Sequence, residues 1–245
     1  MTLSGQNLIL AKRLTDVSVA FEQGEITAIC GPNGAGKSTL LQGMAGLLSF
    51  DSGQAMLDDT PLALLAPRDR AKRIGYLPQD GQIAWDVSVR NLVQLGRLPH
   101  GDIGEKAVDR AIEALDLHGL QSRPISQVSG GERARVLLAR VLAGEPDWIL
   151  ADEPLAALDL AHQLALLRHL RLQADAGRGV VIVLHDLALA RNHADRVIVL
   201  SNGALAADGP PDIALSPEVL RAVWGVEATW LSDGGQQALV ARPGV

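Results

Sequence analysis

Gly31-Pro32-Asn33-Gly34-Ala35-Gly36-Lys37-Ser38-Thr39 matches the pattern GxxxxGK[ST] and lies between an apolar run, Ile26–Cys30, and a helix-like segment, Leu40–Leu48. Glycines at this spacing let the backbone wrap a phosphate chain with its N–H groups. A helix that follows points its positive end at the same place, and Lys37 adds a charge near the β- and γ-phosphates. Ser38 then offers its hydroxyl to Mg²⁺. The plain alternative is a Gly-rich turn of no consequence, which the strand-then-helix context disfavours. On its own the loop implies a nucleoside-triphosphatase, with kinases, GTPases and transporters all open.

A second group emerges further along. After Trp148-Ile149-Leu150-Ala151 come Asp152, Glu153 and Pro154, two carboxylates where a strand should stop. Asp152 suits the hydration shell of a metal, while Glu153 suits orienting and deprotonating an attacking water. Taken alone, an acidic strand end is as ordinary as it is functional; beside a phosphate loop the functional reading prevails. His185 directly follows Val180–Leu184, which puts an imidazole at the same sheet edge, and Gln79 follows Tyr76-Leu77-Pro78. Either residue by itself would be a structural histidine or a solvated glutamine. Ser129-Gly130-Gly131-Glu132 precedes the helical run Arg133–Leu142, and such a turn at a helix start is either a second anion site or simply a cap.

The elements that must hold these residues are legible as an alternation. Ile26–Cys30, Trp148–Ala151 and Val180–Leu184 read as strands buried on both faces of a parallel sheet, and Val108–Leu117, Arg133–Leu142 and Gln163–Leu172 as helices between and around them. That is a doubly wound α/β arrangement, whose ligands bind at the carboxyl ends of the strands. About 85–144 is helical in pattern and falls between two strand-end motifs, so it reads as an inserted subdomain. Asn202-Gly203 and Gly234-Gly235 mark expected hairpins over Ser201–Gly209 and Val226–Ala241.

Composition narrows the function. The chain has 245 residues, 47% hydrophobic and 20% charged, which is an ordinary globular balance with ample core. A net charge of −6 argues against a nucleic-acid partner. Cys30 is the only cysteine, so no internal disulfide can form and the cytoplasm is the expected compartment. Met1–Leu10 lacks a basic leader, and no run of about 20 apolar residues could span a bilayer. Any work at a membrane would be that of a peripheral subunit.

The order along the chain gives these motifs their joint meaning. Lys37, Gln79, Ser129-Gly130-Gly131, Asp152-Glu153, Ala157-Leu158-Asp159 and His185 follow one another as the Walker A, Q-loop, signature, Walker B, D-loop and switch histidine do in the ABC ATPases, which the chain resembles from about residue 14 to 226. The resemblance implies an α/β P-loop NTPase core with a mostly parallel sheet and an amino-terminal antiparallel β portion. Residues 1–84 and 145–245 would form this core and about 85–144 the helical subdomain. It implies ATP and Mg²⁺ as ligands, with Glu153, His185, Lys37 and Gln79 catalytic and with Ser38, Gln79 and Asp152 toward the metal. Gly31, Pro32, Asn33, Gly34, Ala35, Gly36, Lys37, Ser38 and Thr39 would cradle the nucleotide. Ser129, Gly130, Gly131, Glu132 and Asp159 would complete the site from the other subunit of a head-to-tail homodimer.

Further partners follow from the same resemblance: an integral membrane permease dimer, docked on the segment Asp80–Asp86 and the helix near Val87–His100, and indirectly a substrate-binding protein. The location implied is the cytoplasmic face of the inner membrane. Leu95-Gly96-Arg97-Leu98-Pro99-His100 and Leu158-Asp159-Leu160-Ala161-His162-Gln163 are similar to the subgroup that serves bacterial importers of iron-siderophore, haem and cobalamin. The alternative from another class is a soluble ABC ATPase of cofactor assembly or complex remodelling. A domain cut from an exporter is disfavoured because the chain reads as a stand-alone subunit.

Two departures from the family pattern stand out. Glu132 occupies a place where glutamine is commoner. Leu8-Ile9-Leu10-Ala11-Lys12-Arg13 looks shortened and holds no ring where family members place an aromatic against adenine. The expectation is a base resting on aliphatic groups such as Leu10, with weak ATP binding and poor discrimination against GTP.

Overall fold

A computed structural model of the chain describes residues 1–79, 86–156 and 158–244. Its elements run β1 (Thr2–Leu10), β2 (Leu14–Glu22), β3 (Ile26–Cys30), α1 (Lys37–Met44), β4 (Ser52–Leu57), β5 (Thr60–Pro61), α2 (Pro67–Arg73) and β6 (Ile74–Leu77). They continue with α3 (Val89–Gln94), α4 (Glu105–Ala114), α5 (Gly130–Ala143), β7 (Trp148–Ala151), α6 (Leu160–Asp175), β8 (Gly179–Val183) and α7 (Leu187–His193). The last part holds β9 (Arg196–Ser201), β10 (Ala204–Gly209), α8 (Pro211–Ala214), α9 (Pro217–Trp224), β11 (Val226–Asp233) and β12 (Gln236–Pro243).

The main sheet has the order β10-β9-β3-β8-β7-β6, parallel throughout except for β10, which closes a hairpin on β9. Its inner strands alternate between two cores. Ala28, Cys30, Ile149, Ala151, Val180 and Ile182 face a core shared with α3, α4, α5 and α6. Ile29, Trp148, Leu150, Val181 and Val183 face a second core built with α1, β1 and β2. Burial on both faces is why these strands read as unbroken apolar runs rather than as alternating ones. Strand β3 lies between β9 and β8, so the chain leaves it at a point where successive connections go to opposite sides. That is where an open α/β sheet offers a crevice at its carboxyl edge.

The second core is covered by an antiparallel sheet of order β2-β1-β4-β5. Thr2–Leu10 forms a nine-residue strand of this sheet. It turns through Ala11–Arg13 into β2, with the turn closed by the Arg13 N–H on the Leu10 carbonyl at 2.9 Å. The alternation in β2, with Leu14, Val17, Val19 and Phe21 buried, is what packs the sheet onto α1.

Both expected hairpins are present, as β9–β10 and β11–β12. Several boundaries differ from the expectation. Helix α1 ends at Met44 rather than Leu48, because Gly46 takes a left-handed φ of 69° and turns the chain out of the helix. Strand β8 begins one residue earlier, at Gly179, whose missing side chain leaves room for the ring of Trp148. Every named element between β6 and β7 is helical, and no helix among the described residues is long and apolar enough to cross a membrane.

Candidate functional site

The phosphate-type loop runs from the end of β3 to the start of α1. Two glycines there are required by geometry. Gly31 has φ 150° and lies against the Leu200 carbonyl, where a side chain would collide, and Gly36 has φ 100°. A Cβ on Gly36 would come 2.7 Å from the carbonyl oxygen of Arg13. Asn33, Gly34, Ala35, Gly36, Lys37, Ser38 and Thr39 line a cavity of about 370 Å³ together with Arg13 and Glu153. Gly31 and Pro32 serve it differently: their carbonyls accept hydrogen bonds from Lys37 Nζ at 2.9 and 3.0 Å. Lys37 is only 5% exposed, and burial pulls its ammonium pKa down against the pull of Glu153, Cys30 and Asp152. The result is a fixed cation under a ring of glycine-supplied N–H groups, which is a site for a polyanion.

The other strand ends bring their groups to the same edge. Asp152 follows β7 and is 2% exposed. Ser38 Oγ donates to its Oδ1 at 2.8 Å, and the Tyr76 hydroxyl donates to its Oδ2 at 3.1 Å. Burial pushes the Asp152 carboxyl above the usual aspartate range, an effect that Ser38 and Tyr76 oppose by bonding to the charged form. Tyr76 is itself pushed up to about 12, by burial first and the neighbouring carboxylate second. A hydroxyl beside one carboxylate is a donor set that suits Mg²⁺, which keeps most of its water and borrows phosphate oxygens. Among the described residues no group of three or more His, Cys, Asp or Glu forms a dedicated metal cage.

Glu153, the next residue, has a left-handed φ of 47°. A non-glycine residue held there signals a backbone set by its surroundings. Its side chain is fixed from two strands: Gln79 Nε2, beyond β6, donates to Oε2 at 2.6 Å, and His185 Nε2, beyond β8, pairs with Oε1 at 2.5 Å. Gln79, Glu153 and His185 are thus one cluster, joined to the cavity by the Glu153 carboxylate. Asp186 caps α7 by accepting from the N–H groups of Ala188 and Leu189, which fixes the backbone that carries His185.

The Ser129–Glu132 turn is built separately. Ser129 Oγ accepts from the Glu132 N–H at 3.2 Å, and a Glu132 carboxylate oxygen accepts from the Ser129 N–H at 2.7 Å, a complete capping box on α5. Gly131 has no room for a methyl group, because the His162 ring occupies the space. His162 Nδ1 is in turn 2.7 Å from Asp159 Oδ1, and Asp159 caps α6. Among the described residues that line the cavity, none belongs to Ser129, Gly130, Gly131, Glu132 or Asp159. One chain brings the loop, Asp152, Glu153, Gln79 and His185 together and leaves the signature group apart. Ala157 lies outside the described residues, as do residues 80–85 of the expected docking loop.

Sequence reasoning did not single out three participants. In the sequence Tyr76 stands only as a neighbour of Gln79, and its hydroxyl needs the β6–β7 pairing to meet Asp152. His162 gave no local sign of its contact with Gly131. Arg13 lines the cavity in place of Leu10, which is half-buried against the second core and does not line it. The long β1 strand displaces the expectation, by carrying Leu10 under the sheet and ending in a turn that presents Arg13.

Known proteins resemble this chain over most of its length. The model of the ABC transporter family matches residues 14–156. The hemin import ATP-binding protein HmuV of Rhodococcus jostii is 44% identical over 217 residues, covering 86% of this chain and 74% of its own. HmuV of Pseudomonas fluorescens is 43% identical over 239 residues, covering 94% of each chain. Among solved structures, a metal-chelate type ABC transporter in an inward-facing conformation is similar with TM-score 0.84 at 26% identity, covering 99% of this chain and 97% of that one. A subunit of the ABC transporter complex cbiONQ of Clostridium perfringens is similar with TM-score 0.78 at 30% identity, covering 90% and 93%.

Proposed function

Because the chain belongs to the ABC transporter family, we propose that it is the ATP-hydrolysing subunit of an importer that takes up haem or a related iron chelate through a separate membrane permease. The observation that carries the reading is the convergence of Ser38, Asp152, Glu153, Gln79 and His185 on one sheet edge beside the Lys37 loop. Relatives named for hemin import match most of this chain, and the match covers 74% and 94% of their own lengths.

In this reading the N–H groups of the loop and Lys37 hold the triphosphate, and Ser38 with Asp152 would hold Mg²⁺. Bound there, it would supply charge neutralisation for the phosphate chain. Glu153 accepts a proton from the attacking water as its oxygen bonds to the γ-phosphorus and the bond to the bridging oxygen breaks. Gln79 and His185 hold the Glu153 carboxylate and are placed to register whether the γ-phosphate is present. Ser129, Gly130, Gly131, Glu132 and Asp159 complete the site of a second copy in a head-to-tail dimer, which is supported by their absence from the cavity of their own chain. Residues 1–84 and 145–245 form the catalytic core and about 85–144 the helical subdomain. The subunit is peripheral, on the cytoplasmic face of the inner membrane, and a substrate-binding protein delivers cargo from the other side.

The test is to purify the chain with the membrane proteins that accompany it and to reconstitute the complex in vesicles. Uptake of haem that depends on ATP hydrolysis supports the proposal. A complex that hydrolyses ATP but moves only a different cargo overturns the haem assignment, and a chain that copurifies with no permease overturns the importer.

A further inference from the structure

The proposed function accounts for the triphosphate end of the nucleotide and leaves the base without a partner. Besides the loop itself, the residues lining the cavity are Glu153 and Arg13. Glu153 is committed to Gln79 and His185. None of the six described aromatic residues, Phe21, Phe50, Tyr76, Trp148, Trp224 and Trp230, lines the cavity.

Arg13 is placed there by construction. Its carbonyl oxygen meets the α-carbons of two glycines so closely that a Cβ on either Gly36 or Gly203 would come within 2.7 Å of it. The Thr15 N–H donates to the Gly203 carbonyl at 2.7 Å, and the Gly203 N–H donates to Ala35 at 3.2 Å. Three segments, the β1–β2 turn, the phosphate loop and the β9–β10 turn, are thereby tied into one body, and Arg13 is fixed relative to the cradle. Its side chain is exposed and, among the described residues, makes no hydrogen bond or ion pair. Lys37, which serves the phosphates, has the opposite character: buried, and bonded to loop carbonyls. An uncommitted cation on a rigid turn at the rim suits the part of the ligand that lies beyond the cradle.

We propose that Arg13 is the platform for the nucleobase, its guanidinium plane stacking on the purine face. A guanidinium is planar and weakly hydrated and stacks on aromatic faces, which a lysine ammonium cannot do. Such a platform touches the face of the base and reads no edge hydrogen bonds, so ATP and GTP bind within about threefold of each other. The proposal rests on the reading of the cradle as a nucleotide site.

The experiment measures binding of ATP and of inorganic tripolyphosphate to the full chain with Mg²⁺, for wild type, Arg13→Ala, Arg13→Lys and Arg13→Tyr. Loss of a base platform corresponds to a weakening of about fivefold to a hundredfold. Arg13→Ala is expected to lose ATP affinity in that range and to keep tripolyphosphate affinity, which also reports an intact cradle. Arg13→Tyr is expected to restore ATP binding, and Arg13→Lys is not. Equal weakening of both ligands with rescue by lysine would make Arg13 a phosphate ligand and overturn the platform, as would unchanged ATP binding by Arg13→Ala. Failure of the wild type to bind either ligand would overturn the cradle reading itself.

Discussion

The catalytic edge and the signature turn are assembled in opposite ways. At the edge, the bonded partners are far apart in the chain: Ser38 and Asp152 by 114 residues, Gln79 and Glu153 by 74. At the signature, Ser129 and Glu132 bond each other three residues apart, and so do Asp159 and His162. The first arrangement exists only when the sheet is formed. The second is a local device that any helix could carry, and the contact of His162 with Gly131 lies within the signature side. Under the proposed function, a turn that is complete in itself and does not line the cavity of its own chain serves the cavity of a second copy. Perturbing the two regions should therefore have separable consequences.

The largest effect is expected at the edge. Glu153→Gln keeps the size of the side chain and a bond to Gln79 or His185, but removes the proton acceptor. Hydrolysis should fall at least about 100-fold, the usual worth of general-base assistance, while ATP binding persists and a dimer accumulates with nucleotide trapped. Single-turnover hydrolysis with light scattering checks both halves. Turnover near that of wild type would remove Glu153 from the mechanism and leave the edge as a structural cluster.

Next is Lys37→Ala, which deletes a buried cation and both its bonds to Gly31 and Pro32. A charge-assisted bond is worth about 1.5–3 kcal/mol, so nucleotide affinity should weaken roughly tenfold to a hundredfold in a titration with a fluorescent ATP analogue. Ser129→Arg is the counterpart on the other side. It should leave the affinity of the cradle unchanged yet depress hydrolysis, because a long cation at the turn obstructs closure on a second copy. Its cost in stability is that of a lost N-cap, about 1 kcal/mol, seen as a lower midpoint in urea. Full activity in Ser129→Arg would sink the two-copy site.

The same contrast explains what the sequence alone made legible. The parallel strands were visible because burial in two cores leaves them apolar throughout, and each motif sits where such a strand stops. Strand ends therefore mark Asp152, Glu153 and His185, whereas Gln79 is legible only through the order of the motifs along the chain. Strand β1 was not visible: Gly5, Gln6 and Asn7 interrupt its pattern, Asn7 takes a left-handed φ of 48°, and its pairing with β2 shifts register there. With β1 obscured, the turn that follows could not be placed, so Leu10 stood in for Arg13. Tyr76 and His162 were hidden for a related reason, since their roles rest on contacts across elements that no spacing encodes.

The smallest effect is expected at Glu132, and it discriminates most finely between a local cap and a ligand-binding group. The carboxylate accepts the Ser129 N–H at the amino end of α5, and that bond, ahead of the opposing effect of desolvation, holds its pKa below the ordinary glutamate value. A group whose pKa is depressed in the folded state stabilises the fold above the unfolded value and loses that contribution as pH falls through the folded one. Carboxylates at helix amino termini contribute typically about 0.3–1 kcal/mol. Glu132→Gln should therefore be less stable than wild type by an amount in that range at about pH 7, and the gap should close as the pH falls below the ordinary glutamate range. Urea unfolding at several pH values measures it. If Glu132 acts only as a cap, hydrolysis by Glu132→Gln stays at the wild-type level throughout. A change in ATP turnover without the pH-dependent stability gap would mean that the side chain leaves the capping box when a second copy closes, and the signature turn would no longer be the self-contained half of the comparison.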